Sequence, residues 1–246
     1  MIYKSNLTCP DLTPHFKHLH SRVMPHSMGH DVPSDWADKA DDDPVFGIYK
    51  RCGMWTHDEA AILYNVAHSL KGDWCDIGSH TGWTSAHIGD AFEDGHVVCV
   101  DPLLALDEVA NRCLGHLNAV DIEASIIRCT SASYFDGLEK DDDVVEGFCI
   151  DGDHEPGKPL EDAQHAVEHL ADTGVIMLHD GTGRPVREAV EFLIRERFHA
   201  RVYYTPHIVF CCWRGDFKPP DHVPDPRVLA EHTDGRYPDF DWSRCE

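Results

Sequence analysis

Four aspartates each stand where an apolar run ends: Asp76 after Trp74-Cys75, Asp101 after Val97-Val98-Cys99-Val100, Asp151 after Phe148-Cys149-Ile150, and Asp180 after Val175-Ile176-Met177-Leu178-His179. In an open parallel sheet, ligands bind beyond the carboxyl ends of the strands, so four such strands would bring these carboxylates to one edge. Asp151 with the adjacent pair His179 and Asp180 offers one nitrogen and two oxygens, a donor set for a divalent ion. An ion held there could lower the pKa of a hydroxyl and orient it. Histidine at 179, where magnesium would favour a carboxylate, suits manganese, iron or zinc better. Without a metal, His154 or His80 is the candidate general base, since neutral imidazole near pH 7 can accept a hydroxyl proton. The same residues also allow a plainer reading, in which Asp153 caps the next helix and His179-Asp180 only stiffens a loop.

The elements that must position these groups centre on residues 73–82, Asp-Trp-Cys-Asp-Ile-Gly-Ser-His-Thr-Gly. Trp74, Cys75 and Ile77 suit a short covered strand, and Gly78 and Gly82 mark a turn where the backbone bends and can lie close to a ligand. A helix over 81–90 would point its free N–H groups into that turn. A dinucleotide fingerprint requires a glycine where His80 stands, so a pyrophosphate fits badly. Asp101 lies 23 residues beyond Gly78 and ends the next strand, a position from which it can accept hydrogen bonds from ribose hydroxyls.

The third stretch makes the likeness specific. Phe148-Cys149-Ile150-Asp151-Gly152-Asp153-His154, a helical pattern over 160–170, and Gly174-Val175-Ile176-Met177-Leu178-His179-Asp180-Gly181 together resemble the class I S-adenosylmethionine-dependent methyltransferases. The closest similarity is to the branch whose fourth strand ends in Asp-Gly-Asp-His, related to the metal-dependent catechol-type and sugar O-methyltransferases. Asp162 matches an acidic position of that branch. Pro156 stands where an aromatic is usual, and Asp172-Thr173 replaces a Pro-Gly turn before strand five. The resemblance covers about residues 56–214.

It implies a Rossmann-like, doubly wound α/β sheet, mostly parallel with an antiparallel last strand. It also implies S-adenosyl-L-methionine bound by Asp76, Gly78, Ser79, His80, Gly82, Asp101, Ser131 and Asp151. Catalysis would fall to Asp151, His154 and His80, with Asp151, His179 and Asp180 holding any metal. Trp55 sits where the family closes over the methionine end of the cofactor, although core packing is as natural for an indole.

The remaining chain divides into an N-terminal arm or lid over 1–53, the cofactor-binding domain over 54–214 and a proline-rich tail over 215–246. The arm carries His15, His18, His20, His26 and His30, dense enough to suggest metal binding, and the run Asp41-Asp42-Asp43. Thr56 caps a helix with Asp58 and Glu59 in its first turn and Ala60, Ile62, Leu63, Val66 and Leu70 on an apolar stripe. Further helices are expected over 106–117 and 185–198, strands over 125–129, 201–205 and 208–213, and a solvated loop at Asp141, Asp142 and Asp143. Tail aromatics Phe217, Tyr237, Phe240 and Trp242 should cover either this domain or a second subunit.

Forty-four acidic against 21 basic residues give a formal charge of −23, which repels a nucleic-acid backbone and leaves a small molecule as the expected partner. Of ten cysteines, five lie in apolar strand candidates (Cys75, Cys99, Cys149, Cys211, Cys212), and no Cys-x-x-Cys pair exists. With no signal-peptide or membrane-spanning pattern, they suggest a reduced, cytoplasmic protein, with a homo-oligomer as one candidate arrangement. The leading expectation is O-methylation of a small molecule. The alternatives are a metal-dependent hydrolase built on Asp151, Asp153, His154, His179 and Asp180, and a cofactor-binding protein without catalysis.

Overall fold

A computed structural model describes residues 5–12, 55–92, 95–138, 144–233 and 235–246. The histidines at 15–30, the run at 41–43 and the loop at 141–143 lie outside the described residues. Of the expected arm, residues 5–12 lie against the domain: Leu12 is buried in its core and Asn65 Nδ2 donates to the Thr8 carbonyl at 2.9 Å.

Helix α1 (His57–Leu70) begins where reciprocal bonds fix its first turn. The Thr56 hydroxyl accepts from the Glu59 N–H at 3.2 Å, and the Glu59 carboxylate accepts from the Thr56 N–H at 2.7 Å. Ala60, Ile62, Leu63, Val66 and Ala67 form its buried stripe. Lys71 and Gly72 take left-handed conformations, φ 58° and 104°, and turn the chain into β1 (Trp74–Ile77).

Then follow α2 (Trp83–Gly89), β2 (Val97–Val100), a 3-10 turn (Pro102–Ala105), α3 (Asp107–Ala119), β3 (Ala124–Ile127), α4 (Ser131–Phe135) and β4 (Val145–Ile150). The chain continues through α5 (Lys158–His169), β5 (Leu170–Leu178), α6 (Arg184–Arg195), β6 (His199–Tyr203), β7 (Val209–Arg214), α7 (Pro226–Thr233) and a final 3-10 turn (Trp242–Arg244). The seven strands are ordered β3-β2-β1-β4-β5-β7-β6, and β7 alone runs antiparallel to its two neighbours. Alternating side chains bury both faces. Trp74, Cys149, Val175 and Met177 pack with α1, α2 and α3, whereas Cys75, Phe148, Ile176 and Leu178 pack with α5 and α6.

The expected doubly wound sheet is therefore present, with element ends shifted by a few residues. Asp172 and Thr173, read from sequence as a turn before strand five, lie inside β5. The strand starts early because Leu170 pairs with Val145 before a register shift, and Asp172 and Thr173 occupy the exposed stretch beside that irregularity. The tail folds onto its own domain: Phe240 is buried with its ring 5.5 Å from Phe210, and Arg187 holds Asp239 at 2.8 Å. Among the described residues, no helix is long and apolar enough to cross a membrane.

Strand register sets the height of the site. Ile77 is level with Val100 and with Ile150, and Ile150 with Leu178. The next residues, Gly78, Asp101, Asp151 and His179, consequently leave the sheet side by side.

Candidate active site

Asp76 does not leave with them. It pairs with Cys99 and Cys149 one residue inside the sheet and is fully buried, which corrects the expectation that it reaches the open edge. Its Oδ2 accepts from the Thr84 and Ser85 hydroxyls at 2.6 and 2.5 Å, so the carboxylate ties β1 to α2. Burial pushes the Asp76 carboxyl up to about 6, against the lowering effect of the two hydroxyls.

Gly78 is needed for a reason other than ligand approach. At φ 88° its position would set a β-carbon 2.1 Å from the Asp151 carbonyl oxygen, so the glycine lets the β1 turn nest against the loop after β4. Gly82, at φ 86°, closes the same turn through its N–H to the Ser79 carbonyl at 2.7 Å. Between them His80 is also left-handed, at φ 45°. Among the described residues the Ser79 hydroxyl is buried without a hydrogen-bond partner, a hydrogen-bonding capacity inside the turn. The His80 N–H donates to Asp101 Oδ2 at 2.9 Å, and the Leu103 N–H to Asp101 Oδ1 at 2.7 Å. Asp101 is thus fixed beside the turn with lone pairs to spare for further donors. Burial lowers the His80 imidazole pKa, and among the described residues no hydrogen bond links it to Asp151. Farther along the edge, Ser131 opens α4 beside Asp162; burial raises that carboxyl and the Ser131 hydroxyl opposes the rise.

The second half of the site gathers on Asp151. Its Oδ2 accepts from the Trp55 indole N–H at 2.7 Å, while its Oδ1 lies 3.1 Å from His179 Nδ1 and 3.3 Å from His154 Nε2. His154 Nε2 is equally close, 3.3 Å, to Asp180 Oδ2. Asp180 is left-handed, φ 59°, a costly conformation for a non-glycine residue that here turns its carboxylate back toward His179 Nδ1, 3.7 Å away. Trp55 stacks on His179 with ring centres 4.3 Å apart, so the indole closes the site as well as packing. Asp153 stays outside: exposed, it accepts from the Glu155 N–H at 2.9 Å, and Gly157, not Asp153, caps α5.

Two further residues join that no sequence pattern places here. Glu59, fully buried, reaches His179 Nε2 at 3.4 Å and His207 Nδ1 at 3.3 Å with its Oε2. The Thr-x-x-Glu spacing marked Glu59 as a helix-capping residue, and only the fold shows that the same carboxylate continues into the site. His207, on the turn between β6 and β7, carries no sequence signal.

Charge is balanced within this cluster. Burial raises the Asp151 and Glu59 carboxyls, but the imidazoles outweigh it: His179 and His154 hold Asp151 below the ordinary carboxylate range, and His207 and His179 hold Glu59 well below it. Burial pulls His179 down, and Asp151 and Asp180 more than reverse this, leaving it well above an ordinary histidine. His154 is likewise raised, mainly by Asp151 against its own burial.

Residues 75–181 match a family model described as a methyltransferase domain, a span that runs from β1 to the residue after Asp180. Residues 75–181 therefore carry a methyltransferase-domain pattern. Its fold is shared by a methyltransferase from Geobacter sulfurreducens, 17% identical over 63% of this chain and 77% of that one, at a TM-score of 0.53. The O-methyltransferase of Bacillus cereus, solved in complex with SAH, is 11% identical over 82% of this chain and all of that one, at a TM-score of 0.57. Precorrin-6y C5,15-methyltransferase from Geobacter metallireducens GS-15 is 16% identical over 68% and 92%, at 0.53. No curated protein matches the chain in sequence. The acceptor must be argued from this chain's own side chains, because the neighbours' names point to different acceptors.

Proposed function

We propose that this methyltransferase transfers a methyl group to a hydroxyl of a small molecule, with a divalent ion held by Asp151, His179 Nδ1 and Asp180. The observation that carries this reading is the meeting of those three donors, all within 4.8 Å of one another, where β4 and β5 open beside the Gly78 turn. Two carboxylates and one imidazole suit manganese, iron or zinc, and the loop geometry that joins them includes the left-handed Asp180. S-adenosylmethionine, when bound, supplies a methyl already activated on a sulfonium. The ion, when bound, would lower the pKa of the acceptor hydroxyl.

This chain's residues supply the rest. Asp101, held by two main-chain N–H groups, is placed to accept hydrogen bonds from ribose hydroxyls, and the buried Ser79 hydroxyl and the turn around it would hold the remainder of the cofactor. His154, beside Asp151 and Asp180, would take the hydroxyl proton as the oxygen–methyl bond forms and the methyl–sulfur bond breaks, S-adenosylhomocysteine leaving, and the two carboxylates would stabilise the resulting imidazolium. Trp55 and His179 form a flat wall that excludes water from Asp151. The charge of −23 favours a small acceptor over RNA or DNA.

The test is transfer from methyl-labelled S-adenosylmethionine to a panel of catechols, sugars and simple alcohols, before and after chelation. We expect label on oxygen, a loss on the order of 100-fold when the ion is removed, and recovery with manganese. Transfer untouched by chelation would remove the metal from the account and leave His154 as the sole activating group. Label appearing on nitrogen or carbon would overturn the choice of acceptor.

A further inference from the structure

We propose that Glu59, His207 and the Nε2 of His179 form a second, inner cation site, fitted to zinc or another divalent ion that favours imidazole. It lies behind the site assigned above and shares only the His179 ring with it, using the opposite nitrogen. The three donor atoms lie within 4.8 Å of one another.

The spacing of this set suits the ligands of one ion as well as hydrogen bonds. Glu59 Oε2 makes a short bond to the Thr56 N–H, 2.7 Å, which is the length expected for a carboxylate acceptor. The two imidazole nitrogens stand farther from that same oxygen, at 3.3 and 3.4 Å. Two metal–ligand bonds of about 2.0–2.1 Å at a tetrahedral angle put their donors about 3.3–3.4 Å apart. The nitrogens are therefore spaced as neighbouring ligands of one ion. Both rings are held in place: His179 is clamped under Trp55, and His207 meets it edge-on at 4.9 Å while the His207 main-chain N–H donates to Glu59 Oε1 at 3.1 Å.

Charge points the same way. Glu59, Asp151 and Asp180 form one connected group, and among the described residues their ion pairs involve only histidines, never lysine or arginine. The fully buried Glu59 carboxylate is faced by two imidazoles, and an ion bound there would take the place of their protons as its compensating cation. Two imidazole nitrogens and one carboxylate form a donor set for zinc, iron or cobalt. Of the three side chains only that of His207 reaches solvent, 13% exposed, which gives an ion its way in. With the inner ion alone, the remaining N–H of His179 faces Asp151; with the outer ion alone, it faces Glu59. Filling both sites releases that proton to solvent.

The test is zinc content after dialysis of the full chain and of single variants, counted as differences so that any ion taken up by the histidines at 15–30 cancels. Glu59→Gln and His207→Gln should each lose one equivalent relative to the unsubstituted chain, and Asp180→Asn should lose a different one. The Glu59→Gln/Asp180→Asn double variant should then lose two. If Glu59→Gln disturbs folding through its helix cap, checked by circular dichroism, His207→Gln on the β6–β7 turn decides alone. Unchanged zinc in His207→Gln overturns the inner site, whatever Asp180→Asn does. Zinc lost in His207→Gln but unchanged in Asp180→Asn would keep the inner site and overturn the outer one.

Discussion

Replacing Gly78 with alanine is expected to destabilise the protein by about 3–5 kcal/mol, through left-handed backbone strain and a backbone collision that cannot relax locally. The added carbon would sit 2.1 Å from the Asp151 carbonyl oxygen and 2.8 Å from the Gly152 nitrogen, both main-chain atoms. The β1 turn and the β4 loop would have to separate, moving Asp151 away from the cofactor turn. Against a typical total of about 5–15 kcal/mol, that is a large share of the fold. A thermal melt should show a midpoint lowered by roughly 10 °C. Gly115→Ala is the control: nothing lies within 4 Å of its added carbon on the exposed face of α3, so it should be neutral or stabilise by about 0.5–1 kcal/mol. Equal melts for the two variants would show that Gly78 does not hold the turn and the loop together.

The largest functional effect is expected from Asp151→Asn. The change keeps the side chain's size but removes the charge that faces His179, His154 and the proposed ion, and it weakens the acceptor for the Trp55 N–H. Methyl transfer measured as kcat/KM should fall on the order of 1,000-fold, the scale set by losing both a metal ligand and the partner of the base. Asp153→Asn, two residues away but turned to the Glu155 N–H, should stay within about threefold. Activity retained within tenfold in Asp151→Asn would move the chemistry away from the ends of β4 and β5.

Much of this arrangement could be read from residue order because parallel strands translate sequence position into height. The runs before Asp101, Asp151 and His179 are short, apolar and rich in β-branched residues, and they pair level with one another as expected. Asp76 shows where that reading stops. A shift of one residue separates the open edge from the interior, and neighbouring residues in a strand face opposite ways. The sequence cannot show that Ile77, not Asp76, is the last residue paired.

Gly78 was legible as indispensable, but its neighbour is the chain's own carbonyl from 73 residues later, which only packing reveals. Glu59 and His207 were hidden for the same reason. They meet His179 and each other across 120 and 148 residues of sequence, and no local pattern encodes such an encounter. Thr56 and Glu59 did announce a helix start, and the capping carboxylate uses its remaining lone pairs to reach the site.

The central claim is that the turn after β1 and the aspartate after β2 bind the cofactor. Calorimetric titration of the full chain with S-adenosylhomocysteine, alongside Asp101→Ala, tests it most directly. We expect micromolar binding in the unsubstituted chain and weakening on the order of 100-fold in the variant, whose melting temperature should show that it remains folded. Binding of equal strength in both proteins, or no binding in either, would contradict the account.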